Sequence, residues 1–210
     1  AVTADVSNSR DVDRLVDQTL KHFEKIDIMV NNAGQLNRLA AVPLPDVTFD
    51  PPLVTRRSDS RTTDKEWQQI IDTNLNGVFY CCRSVAPHMI EKRYGKIINI
   101  SSNNATMAFP LVAAYNASKA AVNMLTRVLS LEWADYNICV NAIGPGDYDT
   151  DMTHGSWIDP VLRESRLDRI PLHREGPLRD LGLLAVYLAS PASDYMTGQT
   201  IYVDGGLTAK

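Results

Sequence analysis

Residues 26–34 read IDIMVNNAG, and this stretch decides the fold. Ile26, Ile28, Met29 and Val30 form a short apolar run, which Asn31, Asn32, Ala33 and Gly34 stop. A run of that length, closed by turn residues, reads as a strand buried on both faces. Upstream, Val12, Leu15, Val16, Leu20 and Phe23 recur at helical spacing between Ser9 and Glu24. Asp11 and Asp13 in that helix's first turn suit the positive end of its dipole. Downstream, Thr63 and Glu66 of TDKE predict a capping box. The helix it opens carries Trp67, Ile70, Ile71, Leu75, Val78, Phe79, Cys82, Val85 and Met89.

The alternation continues along the chain. GKIINIS (95–101) reads as a second strand, followed by a helix from about Ala113 to Trp133. NICVNAI (137–143) predicts a third strand, PLRDLGLLAVYLAS (177–190) a helix and QTIYVDGG (199–206) a last strand. Strands alternating with helices indicate an α/β domain built on a parallel sheet. In such sheets ligands bind beyond the carboxyl ends of the strands. Those ends carry NNAG, SSN, GPG and DGG, so the candidate chemistry gathers on one edge of the sheet.

Bulk composition narrows the functional classes. Apolar content of 44% and charged content of 22% are those of a globular protein. A net charge of −4 gives no electrostatic case for nucleic acid or an anionic membrane. The short cluster of Arg56, Arg57 and Arg61 reads as a solvated loop, and no apolar run approaches the length of a membrane span. Cys81, Cys82 and Cys139 make neither a disulfide framework nor a metal knuckle, which fits a reducing, cytoplasmic setting. His22, His88, His154 and His173 lack metal-ligand spacing, so no metal site is expected.

Tyr115 and Lys119 stand at i and i+4 in AAYNASKAAVN (113–123) and so share a helix face. Ser102 lies at the mouth of the second strand, and Asn74 lies within the long helix in TNLNG. A free phenol titrates at a pH of about 10. An ammonium about 4 Å away, at an effective dielectric near 20, contributes about 4 kcal/mol. That interaction would lower the phenol by roughly three pKa units. A phenol brought near neutrality can give or take a proton, and a serine hydroxyl beside it can hold the reacting oxygen. Each residue also has an ordinary reading: a strand end for Ser102, a helix hydrogen bond for Asn74, a plain turn for Gly144-Pro145-Gly146.

NNAG, NISS, YNASK and GPGDYDTDM, in this order, closely resemble the short-chain dehydrogenase/reductase family, and TGQTIYVDGG resembles that family's last strand. The likeness covers nearly the whole chain from Val2 onward. It implies a Rossmann-like, doubly wound parallel sheet and a single domain over residues 1–210. It also implies an NAD- or NADP-dependent oxidoreductase acting on a secondary alcohol or ketone. By the same likeness Tyr115 is the acid/base, Lys119 tunes it and holds the nicotinamide ribose, Ser102 binds the substrate oxygen, and Asn74 supports a proton relay. Asp5 and Val6 match the pair beside the adenine. Asn32, Ala33 and Gly34 match the backbone lining the cofactor, and Pro145 and Gly146 through Tyr148 and Thr150 the segment that positions the carboxamide. The family's usual assembly implies a homodimer or homotetramer, which suits a second helix that is apolar on more than one side.

Three departures qualify the resemblance. The family's glycine-rich turn after its first strand, where backbone amides meet the pyrophosphate, has no counterpart here. The expectation is a chain that starts at the family's third strand, around AVTADV, without the first two βα units, about 50 residues. The strand at Ile28 would then have a bare apolar edge. Residues 36–62, with Pro43, Pro45, Pro51 and Pro52, read as a long loop insertion, disordered or a partial lid. Tyr148 stands where a small aliphatic residue is usual, its expected contact being through the backbone. Residues 152–176 match the family's mobile substrate-covering segment, where Met152, His154 and Trp157 line a pocket or simply pack. A second reading stays open: a non-catalytic remnant that serves as an oligomerising or binding subunit.

Overall fold

The four apolar runs form one parallel sheet: β1 (Ile28–Asn31), β2 (Gly95–Ile100), β3 (Ile138–Pro145) and β4 (Thr200–Val203), adjacent in sequential order. The computed structural model describes residues 1–44 and 61–209. Register pairs Val30 with Ile98, Ile98 with Asn141 and Ile143 with Ile201, so successive side chains alternate between two covered faces. Burial on both sides explains why the strands read as unbroken apolar runs.

Seven α-helices are described: α1 (Ser9–Phe23), α2 (Asp64–Ile71), α3 (Gly77–Lys92), α4 (Ala113–Glu132), α5 (His154–Ile158), α6 (Pro160–Arg169) and α7 (Leu178–Ala189). On one face Val78, Cys82, Val85 and Met89 of α3 and Val122 and Leu129 of α4 pack on Ile97, Ile138 and Val140. On the other, Leu188 of α7 seals Ile98 and Ile143, with Leu181 and Leu184 beside it. The helix boundaries follow local chemistry. Asn8 caps α1 by accepting from the Arg10 amide, and both halves of the Thr63–Glu66 capping box form at the start of α2.

The long second helix is not continuous. Residues Asp72–Asn76 form a π turn between α2 and α3, with the Gly77 amide reaching back to the Asp72 carbonyl. Such turns insert one residue into a helix and recur at functional sites.

Two expectations change. Residues 1–5 make no strand; Arg14 instead donates to the Thr3 carbonyl at 3.0 Å. A strand needs a neighbour for its backbone groups, and none lies beside this segment among the described residues. Residues 152–176, read as the substrate-covering segment, hold α5 and α6, two helices that the sequence reading did not assign. Asp159 caps α6 by accepting from Val161 and Leu162, and Pro160 occupies its first turn, where a missing N–H costs nothing.

β1 is a sheet edge, and its Ile28 and Val30 remain 45% exposed, as the bare-edge expectation held. Both ends of the 36–62 connection are pinned, by bridges Leu39–Val112 and Ala40–Arg61 and by the Thr62 amide on the Ala40 carbonyl at 2.8 Å. The loop reading itself, with Pro45, Pro51, Pro52, Arg56 and Arg57, falls on residues 45–60, outside the described residues. Among the described residues, no helix is long and apolar enough to cross a membrane.

Candidate active site

Ser102 follows β2 directly and caps a short turn by accepting from the Asn104 amide at 3.1 Å. This fixes its hydroxyl at the carboxyl edge of the sheet. α4 begins opposite and carries Tyr115 and Lys119 one turn apart. The Ser102 hydroxyl donates to Asn103 Oδ1 at 3.1 Å and stands near enough to the Tyr115 phenol to favour its charged form. The Lys119 ammonium stands 5.7 Å from the centre of the Tyr115 ring and donates to the Ile100 carbonyl at 2.7 Å. Ser101 anchors the same helix, donating to Asn123 Oδ1 at 2.6 Å, while Asn123 donates to the Tyr202 hydroxyl at 2.9 Å. The strand end and the helix thus hold the three residues on a rigid frame.

Their electrostatics depart from the expectation that Lys119 depresses the phenol. Burial pushes Tyr115 up, opposed by the Ser102 hydrogen bond and by the positive charge of Arg38. Burial brings Lys119 down to about 8. Among the described residues, Arg38 is the cation that lowers the phenol. Sequence reasoning missed this residue because it sits in what read as loop.

Asn74 is fully buried in the π turn and lies behind the tyrosine and lysine. Its Oδ1 accepts from the Gln35 amide at 2.7 Å, and its Nδ2 donates to the Gln35 carbonyl at 2.9 Å and to Ser118 Oγ at 3.2 Å. The side chain stitches the segment after β1 to α4. Two further connections were invisible in the sequence. Asn31 donates to Asn99 Oδ1 and Asn99 to Thr126 Oγ1, each at 2.8 Å, which ties β1, β2 and α4 together through the core.

Ser102, Tyr115 and Lys119 face a cleft of about 500 Å³, a size suited to a small molecule with part of a cofactor. Of the residues predicted from resemblance, Asn32, Gly34, Pro145, Gly146, Tyr148 and Thr150 also line it. Val6, Ala33 and Asn32 border an adjoining hollow, which Asn32 joins to the cleft. Asp5 lies apart, at the surface beside Lys65 and Asp72, its carboxylate turned onto the Ser7 amide at 2.9 Å. A Cβ at Gly34 would stand 3.7 Å from the Lys119 ammonium, so glycine there keeps the approach to the lysine open. The residues present therefore fit the nicotinamide and ribose end of a dinucleotide. Lys119 presents its ammonium on one side of the cleft, and Pro145, Gly146, Tyr148 and Thr150 line it too.

Tyr148 lends the cleft little beyond its backbone. Its hydroxyl donates to the Val203 carbonyl at 3.0 Å, and its ring packs where a Cβ on Gly176 would intrude, 2.5 Å away. Of the substrate-segment residues, Met152 lines the cleft, Trp157 is buried with Ile170 and Leu207, and His154 sits at the surface with Asp149 at 3.0 Å.

Known proteins are similar to this chain over nearly its whole length. A family model described as enoyl-(acyl carrier protein) reductase matches residues 1–208. The chain is 39% identical over 209 residues to 3beta-hydroxysteroid dehydrogenase 1 of Eggerthella lenta, covering 99% of this chain and 73% of that protein. It is also 39% identical over 211 residues to 2-dehydro-3-deoxy-D-gluconate 5-dehydrogenase of Dickeya dadantii, covering 100% of this chain and 76% of that protein. The crystal structure of a gluconate 5-dehydrogenase from Burkholderia cenocepacia in complex with NADP and tartrate superposes with a TM-score of 0.86 at 35% identity, covering 98% of this chain and 74% of that one.

Proposed function

The chain belongs to the short-chain dehydrogenase/reductase family, and from that premise we propose that it oxidises a secondary alcohol to a ketone, or the reverse, with NAD or NADP. The observation that carries the reading is the convergence of Ser102, Tyr115 and Lys119 on one cleft at the carboxyl edge of the sheet.

The nicotinamide, when bound, accepts the hydride from the alcohol carbon or returns it to the ketone. Everything else falls to the chain. Ser102 donates to the substrate oxygen and fixes its distance from Tyr115. The Tyr115 phenolate takes the hydroxyl proton as the carbon–hydrogen bond breaks, leaving a ketone; in reduction the phenol gives that proton back. Lys119 orients the ribose with the donors that its bond to Ile100 leaves free. Asn74 keeps the loop after β1 against α4 and sits where a proton could be passed inward from the lysine. Asn32, Ala33 and Gly34 offer backbone along the cofactor, with Asp5 and Val6 toward its far end. The apolar stripe left exposed on α4, with Phe79 of α3, supports assembly as a homodimer or homotetramer.

Tyr115→Phe tests the mechanism. Turnover, followed as reduced nicotinamide, should fall by about 10² to 10⁴, the range for loss of a positioned acid/base, while NADH binding by fluorescence is retained. Near-wild-type turnover would rule the tyrosine out. A wild-type protein that neither binds NADH or NADPH nor turns over would favour a non-catalytic role. The relatives' names span a hydroxysteroid and a sugar acid, so family membership indicates the reaction and leaves substrate choice to the pocket.

A further inference from the structure

The substrate class is legible in a second hollow beside the cleft; the inference rests on the dehydrogenase/reductase reading. This hollow, of about 70 Å³, is lined by Leu36, Arg38, Asn104, Phe109, Asp147 and Arg166, among others. Its walls continue those of the cleft along the chain. Leu36 and Arg38 follow Gly34, Asn104 follows Ser102, and Asp147 lies between Gly146 and Tyr148. A substrate whose reacting carbon lies at Tyr115 therefore extends toward this hollow.

Its charge is not balanced from within. Asp147 is engaged by Arg166 through Oδ1 and by Arg169 through Oδ2, the latter at 3.8 Å. Arg38 makes no ion pair with a described residue; burial opposes its charge and Arg166 repels it, against a weaker pull from Asp147 and Tyr115. A guanidinium cannot shed its proton, so an unpaired one that is partly buried carries a standing cost that an incoming anion removes. The neighbouring cation is held in place. Arg166 is buried, bonded to Asp147 and stacked 5.5 Å from the centre of the Trp157 ring. Three guanidinium groups, those of Arg38, Arg166 and Arg169, share one small hollow with the single carboxylate of Asp147, and the planar fork of Arg38 matches an incoming carboxylate.

We propose that Arg38, backed by Arg166, binds a carboxylate carried by the substrate, so that the protein acts on hydroxy acids and keto acids in preference to neutral alcohols. Phosphate shares the negative charge, but a hollow of about 70 Å³ suits the smaller, planar group.

The test compares kcat/KM for hydroxy acids with that for the matched alcohols in which a methyl group replaces the carboxylate. The wild type should favour the acid by about 100-fold, the worth of a charge-assisted hydrogen-bond pair. Arg38→Gln should cut that ratio at least about tenfold, and Arg38→Lys should restore part of it. Equal kcat/KM for acid and alcohol, or a ratio that Arg38→Gln leaves unmoved, overturns the proposal. Absence of turnover with every pair would instead count against the redox reading. The anion site is then read independently, by titrating 3-hydroxybutyrate against tryptophan fluorescence. Saturable quenching in the wild type that is lost in Arg38→Gln supports the site, and no saturable change overturns it. Inorganic phosphate that saturates at lower concentration than the hydroxy acid also overturns the carboxylate assignment.

Discussion

The Lys119 ammonium donates to the Ile100 carbonyl at 2.7 Å and so binds the acid/base helix to the last residue of β2. Holding this cation in the interior brings its pKa down to about 8. A lysine lowered in the folded state costs stability below that pH, and the cost is relieved as pH rises toward the unfolded value of about 10.4. Lys119→Met should therefore recover stability at pH 7, offset by the lost hydrogen bond. The advantage should shrink by up to roughly 3 kcal/mol between pH 7 and pH 10. Urea denaturation at the two pH values reads this difference, and a pH-independent difference would contradict it.

Ser101 and Ser102 are adjacent but should fail in different ways. Ser101 donates to Asn123 Oδ1 and the Lys119 carbonyl, so Ser101→Ala should cost about 1 to 2 kcal/mol of stability. Ser102 faces Tyr115, so Ser102→Ala should lower kcat by about 10² or more with a smaller change in Tm. Thermal melts and steady-state kinetics on both variants separate the two roles. The reverse pattern would exchange them.

Asn74→Ala removes three hydrogen bonds at a fully buried position and strands the Gln35 amide. The expected loss is roughly 3 kcal/mol, measured by urea unfolding, because a buried group left without its partner is costly.

Arg38 pulls the Tyr115 phenol down. Removing the cation should therefore raise the phenol's pKa. In the oxidative direction, the pH at which kcat reaches half its maximum should move upward in Arg38→Gln, read with a saturating neutral alcohol. A downward shift would mean another cation governs the tyrosine.

Met124, Val128 and Leu131 form an i, i+4, i+7 stripe on α4 that is left facing solvent, Leu131 at 79% exposure. Such a stripe indicates a contact surface. Light scattering should give a mass at least twice 23.3 kDa, and Leu131→Arg should lower it. A monomeric wild type would leave the stripe without a partner.

Much of this was readable along the chain, because covered parallel strands leave unbroken apolar runs and capping chemistry is local. The runs at Ile28, Ile97 and Val140 and the box at Thr63 needed only near neighbours to be recognised. Order along the sequence also placed Ser102, Tyr115 and Lys119 on one edge. What escaped depended on contacts between distant residues. The field at Tyr115 arises from Arg38, 77 positions earlier in number, and the Asn31–Asn99–Thr126 chain joins three elements that no periodicity connects. α6 was legible in principle, since Asp159 and Pro160 are strong start signals, but its thin apolar pattern hid it.

The π turn at Asp72–Asn76 also sets a count. In an uninterrupted helix Ile70 and Val78, eight positions apart, would point about 80° away from each other. One inserted residue brings them back to nearly two whole turns, so both face the core while Asn74 faces Gln35. The segment behaves like a vernier, aligning two scales that no regular helix could align at once. Deleting one residue inside it would restore an ordinary helix, with Ile70 and Val78 seven positions and about 700° apart, and so keep α2 and α3 in phase. A one-residue deletion between the Thr63 cap and Ile71 rotates the cap against α3 by about 100°, whereas one inside Asp72–Asn76 keeps the phase and costs the widened turn that holds Asn74.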